Sequence, residues 1–181
     1  MRLVMLGGTG SGKGTQTRAL SAHYHIPSIS TGDILREGIA SGTELGKKAQ
    51  PYLEKGELVP DQLMIEFIKQ RLLEPDASKG WILEGYPRTA FQAEELDFLL
   101  HKLAQKLDSA IYLKVSESVM KERALQRALA DDKPEVIQRR IDSFKDFTVP
   151  ILEYYEYRGH LLTIDGELSL EAVTSQIVTR L

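Results

Sequence analysis

Residues 3–16 constrain this chain more than any other stretch. Leu3-Val4-Met5-Leu6 is an apolar run of the length and kind that forms a buried strand. Gly7-Gly8-Thr9-Gly10-Ser11-Gly12-Lys13-Gly14-Thr15-Gln16 follows, and a run of helical composition continues to Tyr24. Strand, glycine loop and helix together make the setting in which backbone N–H groups curl around an anion, since a bulkier residue would block that approach. The helix points its positive end at the same spot. Lys13 adds a full charge that can reach the outer phosphates. Gly10, Ser11, Gly12, Lys13, Gly14 and Thr15 are therefore candidate phosphate ligands; the bland alternative is a glycine-rich turn with an incidental lysine.

Composition narrows what surrounds the loop. The 181 residues suffice for one domain with a sizeable core, with 42% hydrophobic and 27% charged residues. A net charge of −3 gives no footprint for nucleic acid or an anionic membrane. There are no cysteines, which excludes disulfides and cysteine-ligated zinc. The first apolar run is too short for a signal peptide, and no stretch approaches the roughly 20 residues of a membrane span. A cytoplasmic, monomeric protein is the expectation.

Strand-like runs recur at Leu3–Leu6, Ile26–Ile29, Trp81–Leu83, Ala110–Val115 and Leu161–Ile164. Helical patterns alternate with them, among them Ala90–Lys106, Ser118–Ala130 and one long helix over Glu135–Tyr157. This alternation predicts an α/β fold, a doubly wound five-stranded parallel sheet covered by helices, with the site beyond the carboxyl ends of the strands. The chain reads as a single domain over 1–181. Two segments look like insertions over its open end, one at 30–59 and a short one at 126–132.

Several strand ends carry chemistry. Ser30-Thr31-Gly32-Asp33 opens a helix in which Thr31 or Asp33 can cap the first turn and Arg36 lies one turn on. Glu84 ends a buried strand beside the loop, where a carboxylate can organise magnesium through water. Gly85-Tyr86-Pro87-Arg88 follows, and Arg88 offers a forked donor for phosphate oxygens. The Gln92 amide supplies both a donor and an acceptor, unless it is an ordinary exposed helical residue. Pro60 suits a first helical position, with Asp61 in the first turn. Arg123 and Arg127 share a helix face with no acid four residues away on that helix, which points to an anion.

The loop G-x-x-G-x-G-K-G-T-Q, with Gly14 where phosphate loops usually have a hydroxyl residue, resembles that of the nucleoside monophosphate kinases, adenylate kinase in particular. Ser30–Arg36, Gly56-Glu57-Leu58-Val59-Pro60-Asp61 and Glu84–Gln92 resemble further motifs of that family, in its order and over essentially the whole chain. The resemblance implies Mg2+-dependent transfer of phosphoryl from ATP to AMP, giving ADP. It places ATP on the glycine loop, Arg123 and Arg127. It places AMP on Thr31, Arg36, Glu57, Leu58, Val59, Gly85, Tyr86, Pro87, Arg88, Gln92 and Arg140. Asp33 and Glu84 would hold magnesium through water, and Lys13, Arg88, Arg127 and Arg140 would act on the transferring group. Asp131 and Asp132 would orient the arginines of a short lid.

Three departures stand out. Thr9 replaces the family's usual proline, with a small effect expected. Glu84 replaces an aspartate. Arg127-Ala128-Leu129 stands where related short lids read R-G-R, so one lid arginine has become Leu129; Arg139 is a possible substitute. A UMP or CMP kinase of the same fold, a nucleotide-binding paralogue with reduced catalysis, and a generic phosphate-loop ATPase or GTPase are the alternatives. Gln92 and Thr31 count against the first.

Overall fold

The computed structural model describes residues 1–181. Five strands, β1 (Arg2–Leu6), β2 (Ser28–Ser30), β3 (Trp81–Glu84), β4 (Ser109–Lys114) and β5 (Leu161–Asp165), form one parallel sheet in the order β2-β3-β1-β4-β5. Nine α-helices join them: α1 (Lys13–Tyr24), α2 (Thr31–Ala40), α3 (Glu44–Lys55), α4 (Asp61–Leu72), α5 (Ala90–Lys102), α6 (Glu117–Arg127), α7 (Pro134–Ser143), α8 (Val149–Tyr157) and α9 (Leu170–Arg180).

The period of two along β1 explains why both faces are covered. Val4 and Leu6 point into a core shared with α4, α5 and α8, whereas Leu3 and Met5 point the other way onto Leu20 of α1 and Val173 and Ile177 of α9. All four are nearly solvent-free. The strand order turns at β1, whose neighbours are β3 and β4. A doubly wound sheet opens a crevice at such a turning point, and the glycine loop leaves β1 there.

Local chemistry moves several expected boundaries. Pairing of β2 starts at Ser28 because Pro27 has no N–H for the ladder; its carbonyl accepts from Ile82 instead. Neither Thr31 nor Asp33 caps α2: the Ser30 hydroxyl accepts from the Asp33 N–H at 3.3 Å. Pro60 is the cap position, not the first helical residue, of α4. The helix expected over Glu135–Tyr157 is broken into α7, a π-helical turn over Phe144–Thr148, and α8. Pro150 cannot donate into the preceding turn, and the wider turn accommodates that loss. It also brings Phe144 and Thr148 to the crevice. The helix expected to reach Ala130 ends at Arg127, because Ala128 turns left-handed at φ 52°.

Candidate functional site

A cavity of about 570 Å3 lies over the carboxyl ends of the central strands. One wall is the glycine loop. Gly10 has φ 77°, and a Cβ there would come within 2.0 Å of the Met120 carbonyl, so a side chain is excluded. Gly12, at φ 93°, precedes α1, which starts with no side-chain cap. An uncapped helix start facing a cavity leaves N–H groups for an anion. Lys13 donates to the Gly8 carbonyl at 2.7 Å. Burial pulls its pKa down to about 8, with Arg88 and Arg127 adding to the fall and Glu84 opposing it. Of the expected loop ligands, the Ser11 side chain alone lies off the cavity wall; it is buried beneath the loop.

The opposite wall comes from α2, the turn after α3, and the segment after β3. Thr31 is buried and donates to the Glu84 carbonyl at 3.2 Å, leaving its oxygen free to accept. Arg36 grips Asp33 at 2.5 Å and lies 3.8 Å from Asp131. Glu57, Leu58 and Val59 line the same side, as do Gly85 and Pro87. Tyr86 does not: its ring is in the apolar core, and its hydroxyl donates to the Gln92 carbonyl at 3.1 Å. Gly85, left-handed at φ 83°, breaks the strand alternation after Glu84, and Tyr86 joins the core of Trp81 and Leu83 instead of following Ile82.

Gln92 is buried, not exposed. Its Oε1 accepts from the Arg88 N–H at 2.8 Å and its Nε2 donates to Asp61 at 2.7 Å. An amide has two donors and two lone pairs, so one of each remains for a ligand. Asp61 therefore fixes which way the amide faces, a task that its reading as a first-turn charge does not reveal. Arg88 is half-buried; its Nε donates to the Gly85 carbonyl at 3.0 Å, and its own carbonyl accepts from Thr148 at 3.0 Å. Thr148 has no sequence signal, since its position depends on the π-helical turn.

The third wall carries Arg123, Arg127, Leu129 and Arg140. Arg123 donates to the Gly166 carbonyl at 2.8 Å. Arg127 passes over Asp131, four residues on and beyond the helix end, and forks onto Asp132, five away, at 2.9 Å for both bonds. It also touches the Thr9 hydroxyl at 3.5 Å, so Thr9 connects the loop to this wall in a way proline could not. Arg140 reaches Asp132 at 3.1 Å and binds Asp131 more closely still. Burial would raise the Asp131 carboxyl, but the Arg140 hydrogen bond and the charges of Arg140 and Arg36 hold it below its usual range. Its other oxygen, Oδ1, is buried with no partner. Arg139, the expected substitute for the missing arginine, is exposed, donates to the Lys55 carbonyl at 3.2 Å and lies off the cavity wall.

Comparison with known proteins agrees with this geometry. A sequence model of the family described as adenylate kinase matches residues 5–160. The chain belongs to the adenylate kinase family. It is 61% identical to adenylate kinase 2 of a Nostoc species over 178 residues, covering 98% of this chain and 97% of that protein. Over 181 residues it is 59% identical to adenylate kinase 2 of a Synechocystis species, covering the whole of both. Adenylate kinase 1 of the same Nostoc species is 47% identical over 176 residues, covering 97% and 96%. The phosphate loop and the Thr31–Gln92 wall face one another across this cavity.

Adenylate kinases use magnesium with ATP, and the donor set here suits it. Asp33 and Glu84 offer hard carboxylate oxygens on a solvent-facing wall beside the loop. No group of three acidic, histidine or cysteine side chains gathers into a cage. Magnesium keeps several waters and takes phosphate oxygens, so two carboxylates acting through water fit it better than a closed cage would. No helix is long and apolar enough to cross a membrane.

Proposed function

We infer that the protein is an adenylate kinase, moving the γ-phosphoryl of magnesium ATP to AMP and giving two ADP in a reversible reaction. The observation that carries this reading is the single cavity in which the phosphate loop faces the buried Gln92 amide, with one donor and one acceptor to spare. An adenine edge offers the complementary pair, and the free oxygen of Thr31 can accept from its amino group. UMP presents the reverse pair, a ring N–H beside a carbonyl, and CMP presents the same pair on a smaller one-ring base that reaches less far from its ribose.

The protein's part is to position and to screen charge, since no side chain need be a nucleophile. The backbone from Gly10 to Thr15 holds the donor phosphates, and Lys13 follows the charge on the outer ones. Arg36 holds the acceptor phosphate. Arg88, half-buried between the two walls, serves acceptor and transferring group together, and Arg127 and Arg140 face the same group. Magnesium, held through water by Asp33 and Glu84, supplies charge neutralisation on the donor phosphates. Residues 30–59 form the acceptor-binding insertion and 126–132 the short lid; their closure excludes water, and their reopening releases product. The protein acts as a monomer in the cytoplasm. A coupled assay of the purified protein against AMP, CMP, UMP and GMP tests this reading: turnover with AMP far above the others is expected, and a preference for another acceptor overturns it.

Leu129 favours a second reading, a nucleotide-binding protein with slow transfer. It lines the cavity with neither charge nor donor. Its backbone N–H lies 3.2 Å from Asp132, next to Asp131 with its unpartnered buried Oδ1. An arginine at this position would meet an acceptor already in place. Ala128 before it holds a left-handed conformation that glycine adopts more cheaply. Ala128→Gly alone should stabilise the fold by about 0.5–1 kcal/mol, read from the urea midpoint. Leu129→Arg in the Ala128→Gly background should raise kcat by about tenfold or more with little change in KM. An unchanged kcat would mean that the lid does not need the charge.

A further inference from the structure

Seven cations line the cavity: Lys13, Arg18, Arg36, Arg88, Arg123, Arg127 and Arg140. Six make a hydrogen bond or an ion pair, with partners already described. Arg18 makes none. Nor does its own helix offer an acid, since the positions three and four residues away are Gly14, Thr15, Ser21 and Ala22. An exposed arginine on a helix would ordinarily be a solvated charge. Its surroundings argue otherwise.

Arg18 lies where the two cavity-lining acids of the magnesium site meet the start of α1. Measured from a Cβ placed on Gly14, the Glu84 oxygens lie at 3.4 and 3.7 Å and Arg18 Nη1 at 3.6 Å. A smaller cavity beside the main one is lined by Arg18, Asp33, Glu37 and Glu84 together. So a guanidinium without a partner shares one small cavity with both acids.

We propose that Arg18 is a built-in counter-charge for Asp33 and Glu84 that sets how strongly the site prefers metal-bound over metal-free nucleoside triphosphate. The inference rests on the adenylate kinase reading above. A fixed positive charge beside these carboxylates repels a divalent cation and attracts bare phosphate. Both effects narrow the gap between the two ligand forms. Without the metal, the guanidinium neutralises part of the pair. With the metal, it turns to solvent, which its exposed position and lack of partners allow.

The test uses the β,γ-imido analogue of ATP, which cannot transfer its terminal phosphoryl. Calorimetry gives its Kd for the whole protein in excess EDTA and again in excess magnesium, and the ratio of the two is compared between parent, Arg18→Gln and Arg18→Lys. Arg18→Gln should move the ratio about three- to tenfold towards the metal form at low ionic strength, and less at about 1 M salt. Arg18→Lys keeps the charge and should keep the parent ratio. An unmoved ratio in Arg18→Gln, a shift towards the metal-free form, or an Arg18→Lys shift as large as that of Arg18→Gln overturns the proposal. Turnover of the parent with ATP and AMP separates this failure from that of the adenylate kinase reading. A parent without turnover overturns that reading, whereas a parent with turnover and an unmoved ratio overturns the role of Arg18 alone.

Discussion

Lys13→Met should lower kcat by about a thousandfold or more while the protein stays folded. Lys13 is the only side-chain cation on the glycine loop, and its ammonium sits on the Gly8 carbonyl at the cavity wall, the place proposed for the donor's outer phosphates. Methionine has a similar reach and no charge, so the loop keeps its shape and loses its electrostatics. Near-normal turnover of the variant would sink the phosphate-loop assignment. The low pKa adds a second arm. The folded value of about 8 lies below the ordinary 10.5, so between those pH values the unfolded chain carries a proton that the folded chain has shed. Stability therefore rises with pH across that window, and at pH 7 the buried charge is a cost to the fold. Removing it in Lys13→Met should raise the Tm at pH 7. Phosphate oxygens beside the ammonium would restore its proton. Donor binding at pH 8.5 should then take up a proton, seen as a calorimetric heat that varies with buffer ionisation enthalpy in the parent and not in Lys13→Met. In turnover, kcat/KM should fall above about pH 8 while kcat holds, since the bound nucleotide keeps the lysine charged.

The frame of the molecule is legible because it follows local rules. Leu3 to Leu6 alternate between two cores, and the glycines after them have no other use in a strand-to-helix turn. What the sequence conceals depends on contacts between distant residues. Gln92 looks like a surface residue until Asp61, 31 residues away, takes its Nε2. Tyr86 sits inside a run of ligand-like residues, yet after the left-handed turn at Gly85 its ring lies in the core. Thr148 reaches the Arg88 carbonyl only because a π-helical turn replaces the α-helix that the periodicity predicts. Arg18 has no motif at all; what distinguishes it is a missing partner, and only three-dimensional placement reveals that. The lid arginines lie between these cases. Their anion-facing role is readable from spacing, but the way Asp132 divides its two oxygens between Arg127 and Arg140 is not.

Arg36→Ala and Arg88→Ala should separate binding from chemistry on the acceptor side. Arg36 already holds Asp33 and lies near Asp131, so an incoming phosphate competes with two carboxylates for the guanidinium. The net gain from that exchange is smaller than for a free arginine. Its loss should raise KM for AMP by about tenfold to a hundredfold, leaving kcat and KM for ATP within about threefold. Arg88 is half-buried, with its main-chain N–H and carbonyl and its Nε all held by protein, so its two Nη groups are presented to the cavity in a fixed orientation. A donor fixed in advance stabilises developing charge without reorganising, and Arg88→Ala should lower kcat by about a thousandfold as well as raising KM for AMP. Because alanine leaves a gap in a half-buried position, Arg88→Lys provides the control. Lysine keeps the charge but loses the fork, and it should recover part of kcat without recovering the full rate. Equal kcat in the alanine and lysine variants would show that packing rather than charge is lost. If both alanine changes raise KM for ATP and spare AMP, the donor and acceptor walls have been assigned the wrong way round.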